Sequence, residues 1–124
     1  MFELEINNKV YKFKFGMGFL RDINKKINIG VNGTQDLRKN MGFQYYLSLL
    51  LDGEPEALVE ILISANNGYS PRITKEVLDN YIDDENTDID ELSNKIVGFL
   101  KKANATKKIT NMMLEELKKQ EAQA

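Results

Sequence analysis

Asp84, Asn86 and Asp88 stand two apart in the acidic run Asp83–Glu91, at the first, third and fifth positions of a calcium-binding EF-hand loop. Oxygen ligands at that spacing could wrap a hard cation. The sixth position is Ile89, however, where the sharp turn needs glycine, and the twelfth is Lys95 in place of a bidentate glutamate. The plainer reading is preferred: carboxylates at a helix N-terminus, where the partly positive N–H groups favour them. Gly16-Met17-Gly18 resembles part of a nucleotide-binding glycine loop. It lacks both the third glycine of a dinucleotide fingerprint and the Gly-Lys-Ser/Thr ending of a Walker loop, so a strand-to-helix turn explains it better. No serine sits in a Gly-x-Ser-x-Gly elbow. The segment "KKANATKK", 101–108, could touch phosphate, but in a chain with 19 acidic against 17 basic residues it reads as a solvated helix junction.

Two absences narrow the chemistry further. The chain has neither cysteine nor histidine. Without them there is no thiol nucleophile, no disulfide, no thiolate or imidazole metal ligand, and no general base of the commonest kind. Carboxylate chemistry stays open, so these absences lower the expectation of an enzyme without closing it; an enzyme is the least expected class, and neither a cofactor nor a metal is expected. A net charge of −2 gives no attraction toward nucleic acid or an anionic membrane. Glu3 and Glu5 would disrupt a secretory leader, and every apolar run falls far short of the roughly 20 residues a bilayer needs. These features describe a soluble protein that stays where it is made.

The elements that could position a site follow from periodicity. Phe2, Leu4 and Ile6 alternate with Glu3 and Glu5, and Tyr11, Phe13 and Phe15 alternate with Lys12 and Lys14. This is a β-hairpin pattern joined through Asn7-Asn8, a pair that tolerates the positive φ of a type I′ turn. That register sets Leu4 opposite Tyr11, Phe2 opposite Phe13 and Glu3 opposite Lys12, giving one greasy and one charged face. A first helix carrying Phe19, Leu20, Ile23 and Ile27 would support the greasy face.

Residues 28–41 read as a loop, and a second helix, Phe43 to Leu51, is apolar on most sides and reads as central in the core. A third helix starts at Pro55 after Asp52 or Glu54, with a stripe of Ala57, Leu58, Ile61, Leu62 and Ala65, and stops at Asn67 or Gly68. Thr74 caps a short fourth helix bearing Val77, Leu78 and Tyr81. Thr87 with Asp90 resembles a capping box for a fifth, whose stripe is Ile89, Leu92, Ile96, Phe99 and Leu100. The last helix, about Thr106 to Gln120, carries Ile109, Met112, Met113 and Leu117.

The expected fold is mainly α with a short N-terminal β-hairpin, an α+β domain of five to six helices. It divides into the hairpin (1–15), a helical core (16–104) and a C-terminal helix with a polar tail (105–124). Methionine packs into irregular gaps and also serves adaptable binding surfaces, so Met112-Met113 has both readings.

Three stretches then carry a resemblance: "MFELEINNKVYKFKFGMGFLRDINKK", "LLLDGEPEALVEILISANNGYSPRIT" and "LDNYIDDENTDIDELSNKIVGFLKKANATKK". Together they resemble the tail assembly chaperones of long-tailed, siphovirus-type bacteriophages and prophages of Gram-positive bacteria. The likeness is weakest from Ile29 to Met41 and absent from the last dozen residues. It implies a non-enzymatic helical protein that binds the tape measure protein, keeps it soluble and helps recruit tail tube subunits. It also implies residence in the host cytoplasm and absence from the mature virion. Relatives make a longer form by programmed frameshifting, and "LKKQ", Leu117 to Gln120, could be encoded by an A-rich slippery stretch.

For such a role the expected protein-binding surface is Ile109, Met112, Met113 and Leu117 on the last helix, with Tyr11 and Phe13 as an exposed part of the hairpin. Self-association would cover these residues when no client is present. A structural tail completion or connector protein of the virion is the alternative, and a helical DNA-binding regulator is disfavoured by the acidic balance.

Overall fold

A computed structural model describes residues 1–30 and 38–123 of the chain. The expected loop over 28–41 falls partly outside the described residues, as does the final residue of the tail. Among the described residues the chain forms four strands and six helices, the α+β class expected.

Strands β1 (Phe2–Ile6) and β2 (Lys9–Phe13) pair antiparallel, with Phe2 opposite Phe13, Glu3 opposite Lys12 and Leu4 opposite Tyr11. Asn7 and Asn8 sit at φ of 54° and 65°, the left-handed pair that a type I′ turn demands. The alternation therefore sets the register correctly. Its greasy face lies on a different helix from the one expected. β2 packs against α3 (Pro55–Asn66), and the Lys14 N–H donates to the Ala65 carbonyl at 2.9 Å where the strand passes the helix end. Helix α1 (Met17–Asn24) meets this end of the chain through Phe19, whose ring lies edge-on to Phe15 at 5.2 Å.

α3 is the centre of the molecule. It touches α1, α2 (Gly42–Leu51) and α4 (Lys75–Asp83) as well as β2, and buries Leu58, Val59, Ile61, Leu62, Ala65 and Asn66 among others. The sequence reading gave that central place to α2. Helix α2 buries Phe43, Leu47 and Leu50 but leaves Tyr45 exposed, so the helix buried on nearly every side is α3. Pro55 opens α3 and Gly68, at φ +88°, follows its end, both as expected.

One close approach requires glycine. A Cβ on Gly42 would stand 1.7 Å from the Ile23 carbonyl oxygen, so α2 begins against the last turn of α1. The Asn24 side chain then accepts from the Phe43 N–H at 2.9 Å.

The reading of 28–41 as a loop is corrected at its ends. Strands β3 (Asn28–Gly30) and β4 (Arg38–Asn40) form a second antiparallel ladder. Asn28–Gly30, Lys39 and Asn40 are exposed, and three-residue strands of mostly polar residues give period-2 patterning too little to announce them.

Thr74 caps α4 as expected, its Oγ1 accepting from the Val77 N–H at 3.2 Å. For α5 (Ile89–Lys102) the cap is Asp88, one residue after the Thr87 expected, its carboxylate accepting from the Glu91 N–H at 3.0 Å. Helix α6 (Lys107–Gln123) packs against α5 and α2.

Candidate protein-binding surface

The residues that could have made a calcium loop are employed as backbone punctuation. Asp84 accepts from the Asn86 N–H at 2.9 Å, forming a turn, and Asp88 caps α5. Among the described residues no group of three or more acidic, cysteine or histidine side chains is placed to hold a metal ion. Gly16 immediately precedes α1, the strand-to-helix turn expected of it. The phenol of Tyr46 is held above its ordinary pKa, first by burial and then by the Glu60 carboxylate. That places no reactive group in a cleft.

What the surface does offer is apolar. Among the described residues, the large hydrophobic side chains most open to solvent are Met1, Met17 and Met112, followed by Val10, Ile29, Tyr45 and Phe99. The six residues expected to bind a partner divide sharply. Met112 is 61% exposed, and Ile109, Met113 and Leu117 are half-buried along α6. Tyr11 and Phe13 are 5% and 0% exposed, so the expectation that they form an open part of the hairpin is corrected. Their face of the ladder is closed by the helical core, and the hairpin's open apolar side chain is Val10, on the opposite face.

Two grooves gather part of these residues, Met113 and Leu117 in one and Met1, Phe13, Met17 and Phe99 in the other, whereas Tyr11, Ile109 and Met112 line neither. The first, about 330 Å³, runs between α2 and α6 and is lined by Ser48, Leu51, Asp52, Met113, Glu116 and Leu117, with Gln120 at its end. It is amphipathic. The second, about 370 Å³, lies where the hairpin, the start of α1 and the end of α5 converge. Its wall is Met1, Phe13, Phe15, Met17, Phe99 and Ala103, with Lys14 on the rim. Phe99 is held there by the rings of Phe2 and Phe15, at centroid distances of 5.4 and 6.1 Å.

Sequence reasoning missed this second surface because Phe99 fits the apolar stripe of α5 and was assigned to the core. The signal that could have found it is the set Lys95, Gly98, Phe99 and Lys102, which share one helix face at i, i+3, i+4 and i+7 and line a smaller adjoining hollow of about 190 Å³.

The fold and surface thus define a small helical domain with apolar side chains presented from its helices. A family model described as phage tail assembly chaperone protein, TAC, matches residues 3–115, and the chain belongs to that family. Membership of a chaperone family implies a non-enzymatic role in phage tail assembly. No curated protein and no solved structure matches the chain. No helix among the described residues is long and apolar enough to cross a membrane.

Proposed function

We propose that this protein binds the phage tape measure protein in the host cytoplasm, keeps its hydrophobic helices soluble and helps recruit tail tube subunits, leaving before the virion is complete. The observation that carries this reading is the family match over residues 3–115. The exposed apolar side chains support it physically. A chaperone of this kind needs greasy surface that can be lent and recovered, at roughly 25 cal/mol per Å² of apolar area buried before ordering costs are subtracted.

Ile109, Met113 and Leu117, half-buried on α6, and Met112, open on it, form the part of the expected binding surface that a client could reach. Adaptable methionine suits a surface that must accept many helical stretches of one long client. Self-association through the same residues would cover them in the free protein.

The test is co-expression with the tape measure protein of the same phage. Soluble yield of the tape measure should rise and the two should co-purify; an unchanged yield with no complex would remove the reading. The alternative, a permanent tail completion or connector protein, predicts fixed copy number in purified particles by mass spectrometry, where the chaperone reading predicts none.

A further inference from the structure

The groove between the hairpin and α5 carries a charge opposite to that of the chain. Net charge is −2, yet no carboxylate lines this groove or the hollow that adjoins it on α5. Lysines do: Lys14 on the first, Lys95 and Lys102 on the second. Lys95 is paired to Glu91 at 3.1 Å, whereas Lys14 and Lys102 have no ion pair among the described residues. The same lining is largely apolar, with Phe99 38% and Met17 50% exposed.

The backbone is also accessible. Gly98 stands beside Phe99 on the outer face of α5, and a Cβ built there would meet nothing within 4 Å. The chain's own packing therefore does not need glycine at 98, and the missing side chain leaves a notch that lets another helix come close. Residues 95–102 present this face over about 10 Å of helix, roughly two turns.

We propose that this groove seats an amphipathic helix of another protein whose apolar stripe is flanked by carboxylates. The stripe covers Phe99 and Met17, the carboxylates meet Lys14 and Lys102, and the partner's backbone passes over Gly98. This deepens the tape measure reading by naming the chemistry of the client segment, and it rests on that reading for the client's identity alone.

The experiment uses the full chain and two fluorescent 18-residue helical peptides that share one Leu/Phe stripe, flanked by glutamate in one and lysine in the other. At low salt the glutamate peptide binds about tenfold more tightly, and the gap narrows to less than about threefold at 0.5 M NaCl because screening shortens the reach of the lysines. The double variant Lys14→Glu/Lys102→Glu reverses the preference. Gly98→Leu, whose Cβ meets nothing within 4 Å in the chain itself, weakens the glutamate peptide about tenfold while the melting temperature holds or rises.

Equal binding of the two peptides, or an unaltered preference in the charge-reversed variant, overturns the proposal. So does a concentration-dependent dimer that Gly98→Leu dissolves, since a second copy would then be the occupant. Co-expression separates the two failures. If the peptides do not discriminate but the protein still solubilises the tape measure, the groove assignment is wrong and the chaperone reading stands. If the peptides discriminate and the tape measure stays insoluble, the groove stands and the client is another protein.

Discussion

Helices α3 and α6 show two ways of using the same structural unit. α3 has 12 residues and buries eight of them, Asn66 included. α6 is longer, at 17 residues, yet none of its hydrophobic side chains is fully enclosed, and among its described side chains the buried one is Thr110. α3 packs mainly on three helices and a strand, α6 mainly on two helices. A helix packed on every side sustains the fold, while one packed along a single edge keeps surface in reserve. The difference predicts where the chain can change shape without unfolding: at α6, in the low-stability part of the molecule where binding segments are found.

The sharpest way to break this comparison is to remove the same atoms from each helix. Leu62→Ala in α3, fully buried, should cost about 2–5 kcal/mol, against less than about 1 kcal/mol for Leu117→Ala in α6, both measured by urea unfolding. Similar losses at the two sites would mean that α6 is as integral as α3.

Next in size is Asn66. Its amide donates to the Lys12 and Pro71 carbonyls at 3.0 and 3.2 Å, and its oxygen accepts from the Ile73 N–H at 2.7 Å and from Arg72 at 2.9 Å. One side chain thus fastens the hairpin and the α3–α4 connection to the end of α3. Asn66→Ala should cost about 3 kcal/mol, because each buried group left unpaired costs about 1–3 kcal/mol. Amide exchange at Ile73 should accelerate in parallel, and an Ile73 amide that stays protected would show the fastening to be dispensable.

Ending the chain after Thr110 sharpens the other side. It removes Met112, Met113 and Leu117 but keeps Thr106, whose hydroxyl donates to the Leu100 carbonyl at 2.7 Å. A loss of about 1 kcal/mol is expected, seen as a melting point lower by roughly 4 °C, with cooperativity preserved. Tape measure solubilisation should fall far more than stability does.

Smaller still, Thr110→Val should leave stability unchanged or raise it by up to about 1 kcal/mol, since the buried Thr110 hydroxyl has no hydrogen-bond partner among the described residues. A clear loss would mean that the hydroxyl has an essential partner.

The slightest effect expected is at Tyr46, on the edge of α2 that faces Glu60 of α3. Its raised pKa means the folded state holds the phenolic proton more firmly than the unfolded chain. Its contribution is therefore complete below about pH 10 and fades as pH rises through the folded value. Absorbance at 295 nm should include a late step from Tyr46, and Tyr46→Phe should remove it.

How much of this was legible depends on the distance over which each feature is decided. The β1–β2 register was, because a greasy face and two asparagines determine it within a dozen residues. The Thr74 cap, the Pro55 start and the Gly68 stop are equally local. The β3–β4 ladder was not legible, since strands of three mostly polar residues leave no periodic trace. Nothing in the sequence set Asn66 apart, because its partner Lys12 lies 54 positions away. Tyr11 and Phe13 were expected at the surface because alternation says which side chains share a face, and is silent on what covers that face.

The sequence by itself determined the class of fold, the hairpin pairing, most helix boundaries and the lack of thiol and imidazole chemistry, all matters of residue type and short spacing. Only the tertiary structure decided that α3 is the axis, that Asn66 fastens the hairpin to it, and that Phe99 opens onto a lysine-rimmed groove. Burial depends on which elements meet, and the apolar stripe of a helix looks the same in sequence whether a neighbour covers all of it or stops one residue short.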